Sequence, residues 1–141
     1  MKIEDEFLDV LQNLEIAILS VYHDHPQLTD SEVTRTLQAL GDVYVAETLG
    51  RRPRDYNLSP LENELLSRLQ DMADWRLGRR SSPDGNEDHI SEIPPPLTKE
   101  NMISCLGRIL KSVKKWNKHY GVRGYLDFIN DHVPGLPNQA L

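Results

Sequence analysis

The stretch LTKENMISCLGRILKSVKKWNKHYG, residues 97–121, decides the fold class. Thr98 has the side-chain oxygen of an N-cap, and Leu97 and Met102 have the spacing of a hydrophobic staple across it. From there Met102, Leu106, Ile109, Val113, Trp116 and Tyr120 recur at alternating steps of four and three, which places them on one inward stripe of a helix. Gly121 supplies the stop. At ~100° per residue, Arg108, Lys111, Lys114, Lys115 and Lys118 fall opposite that stripe, so the helix presents a basic face away from its core.

The same grammar extends outward in both directions. A short fifth helix from about Arg123 to His132 would turn Tyr125, Ile129 and Val133 inward before Pro134 ends it. Upstream, Ser59, Pro60 and Glu62 form a capping-box start for a helix carrying Leu61, Leu65, Leu69 and Met72, with Gly78 as its stop. Thr29 and Glu32 repeat the box, with Leu28 and Val33 as a staple, and this second helix runs to Gly50. The first segment aligns Ile3, Phe7, Val10, Leu14, Ala17 and Val21, again at steps of four and three, and ends near His25-Pro26. No stretch alternates in the manner of a strand. The expectation is an all-α helical bundle of four longer helices plus a short C-terminal fifth, with antiparallel hairpins at both ends because the Asp24–Leu28 and Gly121–Gly124 connections are short. Residues 1–141 read as a single domain. Residues 79–96 read as an irregular, mobile crossover or a partner-binding strap anchored by Ile90 and Ile93, and residues 134–141 as a tail.

Charge is divided unevenly along the chain. Residues 1–50 hold ten acidic and two basic side chains, whereas residues 97–121 hold six basic residues and only Glu100 as an acid, inside an overall net charge of -6. Asp5, Asp9 and Glu15 lie off the apolar stripe of the first helix, so they are expected to form an outward acidic pole facing away from the basic one. Leu8, Leu11, Ile16, Ile18, Leu19 and Tyr22 make the second half of that helix apolar nearly all round. It is therefore either central in the fold or covered by a second copy in a homodimer.

Composition also bounds function. One cysteine allows neither an intrachain disulfide nor a cysteine-based zinc site within the chain, and no apolar run approaches the ~20 residues of a membrane span. The N-terminal residues lack the order of a secretory signal, and the expected setting is cytoplasmic, without membrane association. Cys105 reads as a buried filler rather than a reactive thiol. The His23-Asp24 doublet resembles that of metal-dependent phosphohydrolases with an HD domain, although no histidine precedes it. Asp71 and Asp74, grouped with Glu62 and Glu64 on the third helix, have the three-residue spacing that resembles one of the two acidic pairs with which all-α nucleotide pyrophosphohydrolases hold magnesium, and the second such pair is missing. No catalytic, cofactor-binding or metal-ligating set is assigned, and the reading leans away from an enzyme. Gly41 and Gly107 stand inside helical patterns at a cost of about 1 kcal/mol each, so each is expected to permit a close contact, in packing or with a ligand.

The residues that remain for function are Arg51, Arg52 and Arg54, just past the second helix, together with Arg108, Lys111, Lys114, Lys115 and Lys118. They form a candidate anion or partner surface. The leading expectation is a protein-interaction or regulatory module that self-associates. The alternative is a nucleic-acid-associated protein using the basic helix face, and a metal-dependent phosphohydrolase ranks below both.

Overall fold

The computed structural model describes residues 3–79 and 96–132; most of the 79–96 segment, with its strap anchors Ile90 and Ile93, and the 134–141 tail lie outside the described residues. Among the described residues the chain forms helices α1 (Ile3–Asp24), α2 (Asp30–Thr48), α3 (Pro60–Arg76), α4 (Lys99–His119) and α5 (Gly121–His132), with no strand. The protein is an all-α bundle of four long helices and a short fifth.

The helix ends are set by short-range chemistry. Thr29 and Ser59 each accept the N–H of the glutamate three residues on at 3.2 Å, and Glu32 and Glu62 accept the cap residue's own N–H at 2.9 Å. Each cap contributes roughly 1 kcal/mol by satisfying donors that the first helical turn leaves open. Leu28 and Val33, and likewise Leu97 and Met102, are buried as staples. At the other ends Gly50 and Gly78 adopt φ of 68° and 76°. Gly50 N–H donates to Glu47 O and Arg51 N–H to Ala46 O, and Gly78 and Arg79 repeat the pattern on Trp75 and Asp74. These are Schellman closures, and they place Arg51 and Arg79 directly beyond the ends of α2 and α3.

Ties between helices fix the directions. Arg68 donates to Ser20 at 2.6 Å and Asp24 at 3.0 Å, while Arg76 lies 3.8 Å from Asp9, so α3 runs antiparallel to α1. Arg35 with Glu62, Tyr44 with Asp74 and Glu47 with Arg79 pair in the same chain order, so α2 and α3 are parallel. Thr34 with Asn117 and Glu47 with Lys99 pair in reverse order, so α2 and α4 are antiparallel. Both α1 and α2 pack on α3 and on α4. The short connection after α1 thus returns α2 antiparallel, across a diagonal of the bundle. At the far end α3 leaves and α4 enters together, with Leu97 N–H donating to Arg76 O at 2.7 Å.

The fifth helix starts at Gly121, two residues before the sequence suggests, and packs on α4 and α2. Gly121 has φ of 81°, and a Cβ there would collide with the Asp30 carboxylate. Beside it Tyr22 donates to Asp30 at 3.5 Å, and the Arg123 guanidinium lies 4.8 Å from the Tyr22 ring centre. Burial and the Asp30 charge push the Tyr22 phenol up to about 12, so it stays a donor.

The core takes in Val10, Leu14, Ala17 and Val21 from the α1 stripe, and also Leu11 and Ile18. The second half of α1 is therefore central within one chain, with Ile16 left at 36% exposure. Two expectations fail here. Glu15 is not on an outward pole but is 1% exposed, because a helix packed on two neighbours buries a wider arc than one stripe, and Glu15 lies on the Leu11–Ile18 side of it. Tyr120 is not inward but 69% exposed, because it is the C-cap of α4, past the last helical turn; its ring centre sits 4.9 Å from that of Trp116. No described helix is long and apolar enough to cross a membrane.

Burial, reinforced by Asp127, raises the Glu15 carboxyl from 4.5 to about 7. A folded-state value above the unfolded one favours the protonated chain, so this contribution is fully present below the unfolded value and is lost as pH rises from 4.5 to about 7. Glu15→Gln, which stays neutral, should match the wild type near pH 4 and exceed its unfolding free energy at pH 8 by about 2–3 kcal/mol in urea titrations. An equal offset at both pH values would contradict the buried-carboxyl account.

Candidate binding cleft

Antiparallel helices α2 and α4 are clasped at both ends. Asn117 donates to Thr34 at 3.2 Å at one end, and Lys99 lies 3.3 Å from Glu47 at the other. Arg79 grips the same Glu47 with two guanidinium nitrogens, at 2.5 and 3.1 Å, which holds that carboxyl below its ordinary range. Tyr44, pushed upward by burial, donates to Asp74 at 2.5 Å alongside.

Between the clasps a surface cleft runs along the seam of the two packed helices. Gln38, Gly41, Asp42 and Val45 on α2 face Ile103, Leu106, Gly107, Leu110 and Lys114 on α4 across a cleft of ≈ 500 Å³. Each set follows the spacing of one helical face. Gly41 and Gly107 both stand near the middle of the span between the clasps. A Cβ added at either would meet nothing within 4 Å, so neither glycine serves close helix packing. Of the two readings the sequence leaves open for them, the packing contact is absent from the described residues.

The chain after α2 completes the cleft. Since α3 starts beside the beginning of α2, the connection runs back along α2 in non-helical form. Arg54 N–H donates to Asp42 Oδ2 at 2.6 Å, and Arg35 donates to the carbonyls of Tyr56 and Asn57. Asn57 takes φ of 51°, steadied by its N–H on Asp55 Oδ1 at 2.9 Å. Arg51, Arg54 and Tyr56 are thereby laid along the α2 edge of the cleft. A smaller hollow of ≈ 390 Å³ lies on the other side of the connection, against Val43 and Leu66.

The expected basic surface is thus partly gathered and partly dispersed. Arg51, Arg54 and Lys114 line one cleft. Lys111, Lys115 and Lys118 are exposed along α4 without lining the cleft, with no carboxylate in ion-pair range among the described residues. Arg108 is turned to the other flank, 4.4 Å above the Phe7 ring, and Arg52 is exposed without lining the cleft. Ile103, Leu110, Val45, Gln38, Asp42 and Tyr56 are additions from the structure. Of these, Ile103 and Leu110 carried a signal in the sequence, since they widen the apolar arc of α4 to one side of its main stripe.

The carboxylate and histidine groupings serve other ends. Asp24, below its ordinary range through Arg68, and Glu64 both pair with that arginine, and His25 Nε2 lies 2.8 Å from Glu64. Glu62 closes its capping box and faces Arg35 at 3.7 Å. Among the described residues no three His, Cys, Asp or Glu side chains converge as a metal site would require. Burial pushes the Cys105 thiol up to about 11, which keeps it protonated and inert near neutrality.

No protein-family model, curated protein or solved structure matches the chain.

Because Gly41 and Gly107 face open space, alanine should fit at each and remove the helix cost of glycine. Gly41→Ala and Gly107→Ala are expected to raise the unfolding free energy by up to about 1 kcal/mol each, measured by urea denaturation. A loss of stability in either variant would mean that its site is tighter than the cleft geometry implies.

Proposed function

We propose that this protein is an interaction module that binds an acidic segment of another protein in the α2–α4 cleft. The observation that carries the reading is the convergence of Arg51, Arg54 and Lys114 on one apolar-floored cleft, whose one lining carboxylate, Asp42, lies 3.8 Å from the Arg54 guanidinium. The volume lies within the ~300–1,000 Å³ of ordinary ligand sites, and its floor of Val45, Ile103, Leu106 and Leu110 offers apolar area to a protein side chain. A phosphate backbone would leave that floor unused, which favours protein over nucleic acid. The basic α4 face beside the cleft supplies steering at a distance, an effect that weakens with salt. The single, protonated Cys105 suits a reducing, cytoplasmic setting.

The test is cross-linking capture from cells with the wild type and with Arg51→Glu/Arg54→Glu/Lys114→Glu. Wild-type cross-links should map acidic segments of partner proteins onto Lys114, survive nuclease, and fall at least tenfold in the reversed variant. Nuclease-sensitive capture, or capture indifferent to charge reversal, would remove the reading in favour of nucleic acid or of another surface.

Self-association is the second part of the proposal, supported by the partly exposed Leu8 and Ile16 on α1. Two-fold symmetry would set the α4 lysines against their own copies, so such a dimer would use the α1 face instead. Light scattering at micromolar concentration should give twice the 16.2 kDa chain mass, halved by Ile16→Glu. A 16.2 kDa species for the wild type would eliminate the dimer.

A further inference from the structure

The cleft also constrains the form of what binds in it. We infer, on the reading that its partner is an acidic protein segment, that the segment binds as an amphipathic α-helix of about three turns. The helix lies along the α2–α4 groove as an additional bundle helix, with its backbone closest over Gly41 and Gly107.

The first argument concerns backbone hydrogen bonds. The floor of the groove is the middles of two α-helices, whose N–H and C=O groups are already paired with each other, and only the α2 edge at residues 51–56 is non-helical. An extended peptide laid on that apolar floor would bury its own N–H and C=O groups with no partners, at a cost of a few kcal/mol per group. A helix satisfies its backbone internally and offers the floor only side chains.

Dimensions agree. Ile103 and Lys114 bound the α4 wall, and eleven helical steps cover ~16 Å, the length of three helical turns. The lining residues on both walls recur at helical spacing, which is the surface that receives the ridges of another helix.

The glycines add a separate reason. Each weakens its own helix, and a Cβ at either position would touch nothing, so packing within the described chain does not offset that cost. An occupant whose backbone descends over them does. Charge sets its composition. Arg51 stands just past the end of α2, and Lys114 stands toward the opposite end of the groove, because the two helices run antiparallel. The occupant therefore carries carboxylates toward both of its ends and an apolar stripe between them. A second copy of the chain is a poor source, since the apolar stripes of α1, α2, α3 and α4 are committed to its own core.

The experiment selects displayed random 16-residue peptides on the full-length chain, with counter-selection on Gly41→Leu/Gly107→Leu. If that pair fails to fold, Gly41→Ala/Gly107→Ala replaces it. Enriched peptides should show apolar residues at i, i+3 or i+4 and i+7, flanked by Asp or Glu. As synthetic peptides they should bind the wild type at least tenfold more tightly than the leucine pair, or severalfold more tightly than the alanine pair. A central proline should weaken them at least tenfold. Peptides that lack helical periodicity, tolerate the proline or bind the filled cleft equally would overturn the helix, and so would a selection that enriches nothing. Peptides that tolerate proline yet lose binding to Arg51→Glu/Arg54→Glu would leave the acidic-partner reading standing and remove only the helix. Peptides indifferent to that charge reversal would bring down both.

Discussion

The parallel course of α2 and α3 is the constraint on which the rest of the structure depends. Two consecutive helices in the same direction need a connection that travels the length of the first. Here α2 has 19 residues, or ~28 Å, and the eleven residues from Leu49 to Ser59 reach at most ~36–40 Å when extended. There is little slack, so the connection must lie on α2 rather than loop away. Arg35 and Asp42 fasten it there. Arg51, Arg54 and Tyr56 reach the edge of the α2–α4 cleft because of this path, and a hairpin between α2 and α3 would have left them at the end of the bundle.

The diagonal arrangement follows from the same constraint. With α2 and α3 parallel, α1 and α4 are each antiparallel to the neighbour that their ion pairs identify, and no two sequential long helices fold back as adjacent faces. Glu47 holds this arrangement at one end. It gathers Arg79 from the end of α3 and Lys99 from the start of α4 on one carboxylate of α2. Partial exposure of all three makes each pair modest in energy, so their main consequence is to fix the order of the chain ends.

Helix ends were the most legible part of the sequence, because they depend on residues within one turn of each other. The Thr29/Glu32 and Ser59/Glu62 boxes and the Gly50 and Gly78 stops form where spacing places them. Burial was less legible, because it depends on how many neighbours a helix acquires. Stripe periodicity assigns Glu15 outward, yet the packing of α1 on both α3 and α4 closes over it. The cleft was legible in half. Its cations and both glycines stand out in the sequence, but their meeting requires the register of α2 against α4 and the return path of residues 51–58, and neither is a local property.

The opposed charges take a different form in three dimensions from the one they have along the chain. The acidic side is partly offset from within, since Asp9 faces the buried Arg76 across the α1–α3 interface. Burial pulls the Arg76 guanidinium down and the Asp9 charge opposes that pull, so the pair costs desolvation and is weak evidence of stability. On the basic side Lys99 is drawn off onto Glu47 and Arg108 onto the Phe7 ring, while Lys111, Lys114, Lys115 and Lys118 stay exposed. Exposed positive charge is thereby gathered along α4, although the chain as a whole is acidic. Net charge sets how the protein behaves in bulk, but an approaching partner responds to the local field within a Debye length of ~8–10 Å. On the proposed reading, the cations at the edge of the cleft attract acids and the apolar floor between them selects the shape on which those acids arrive.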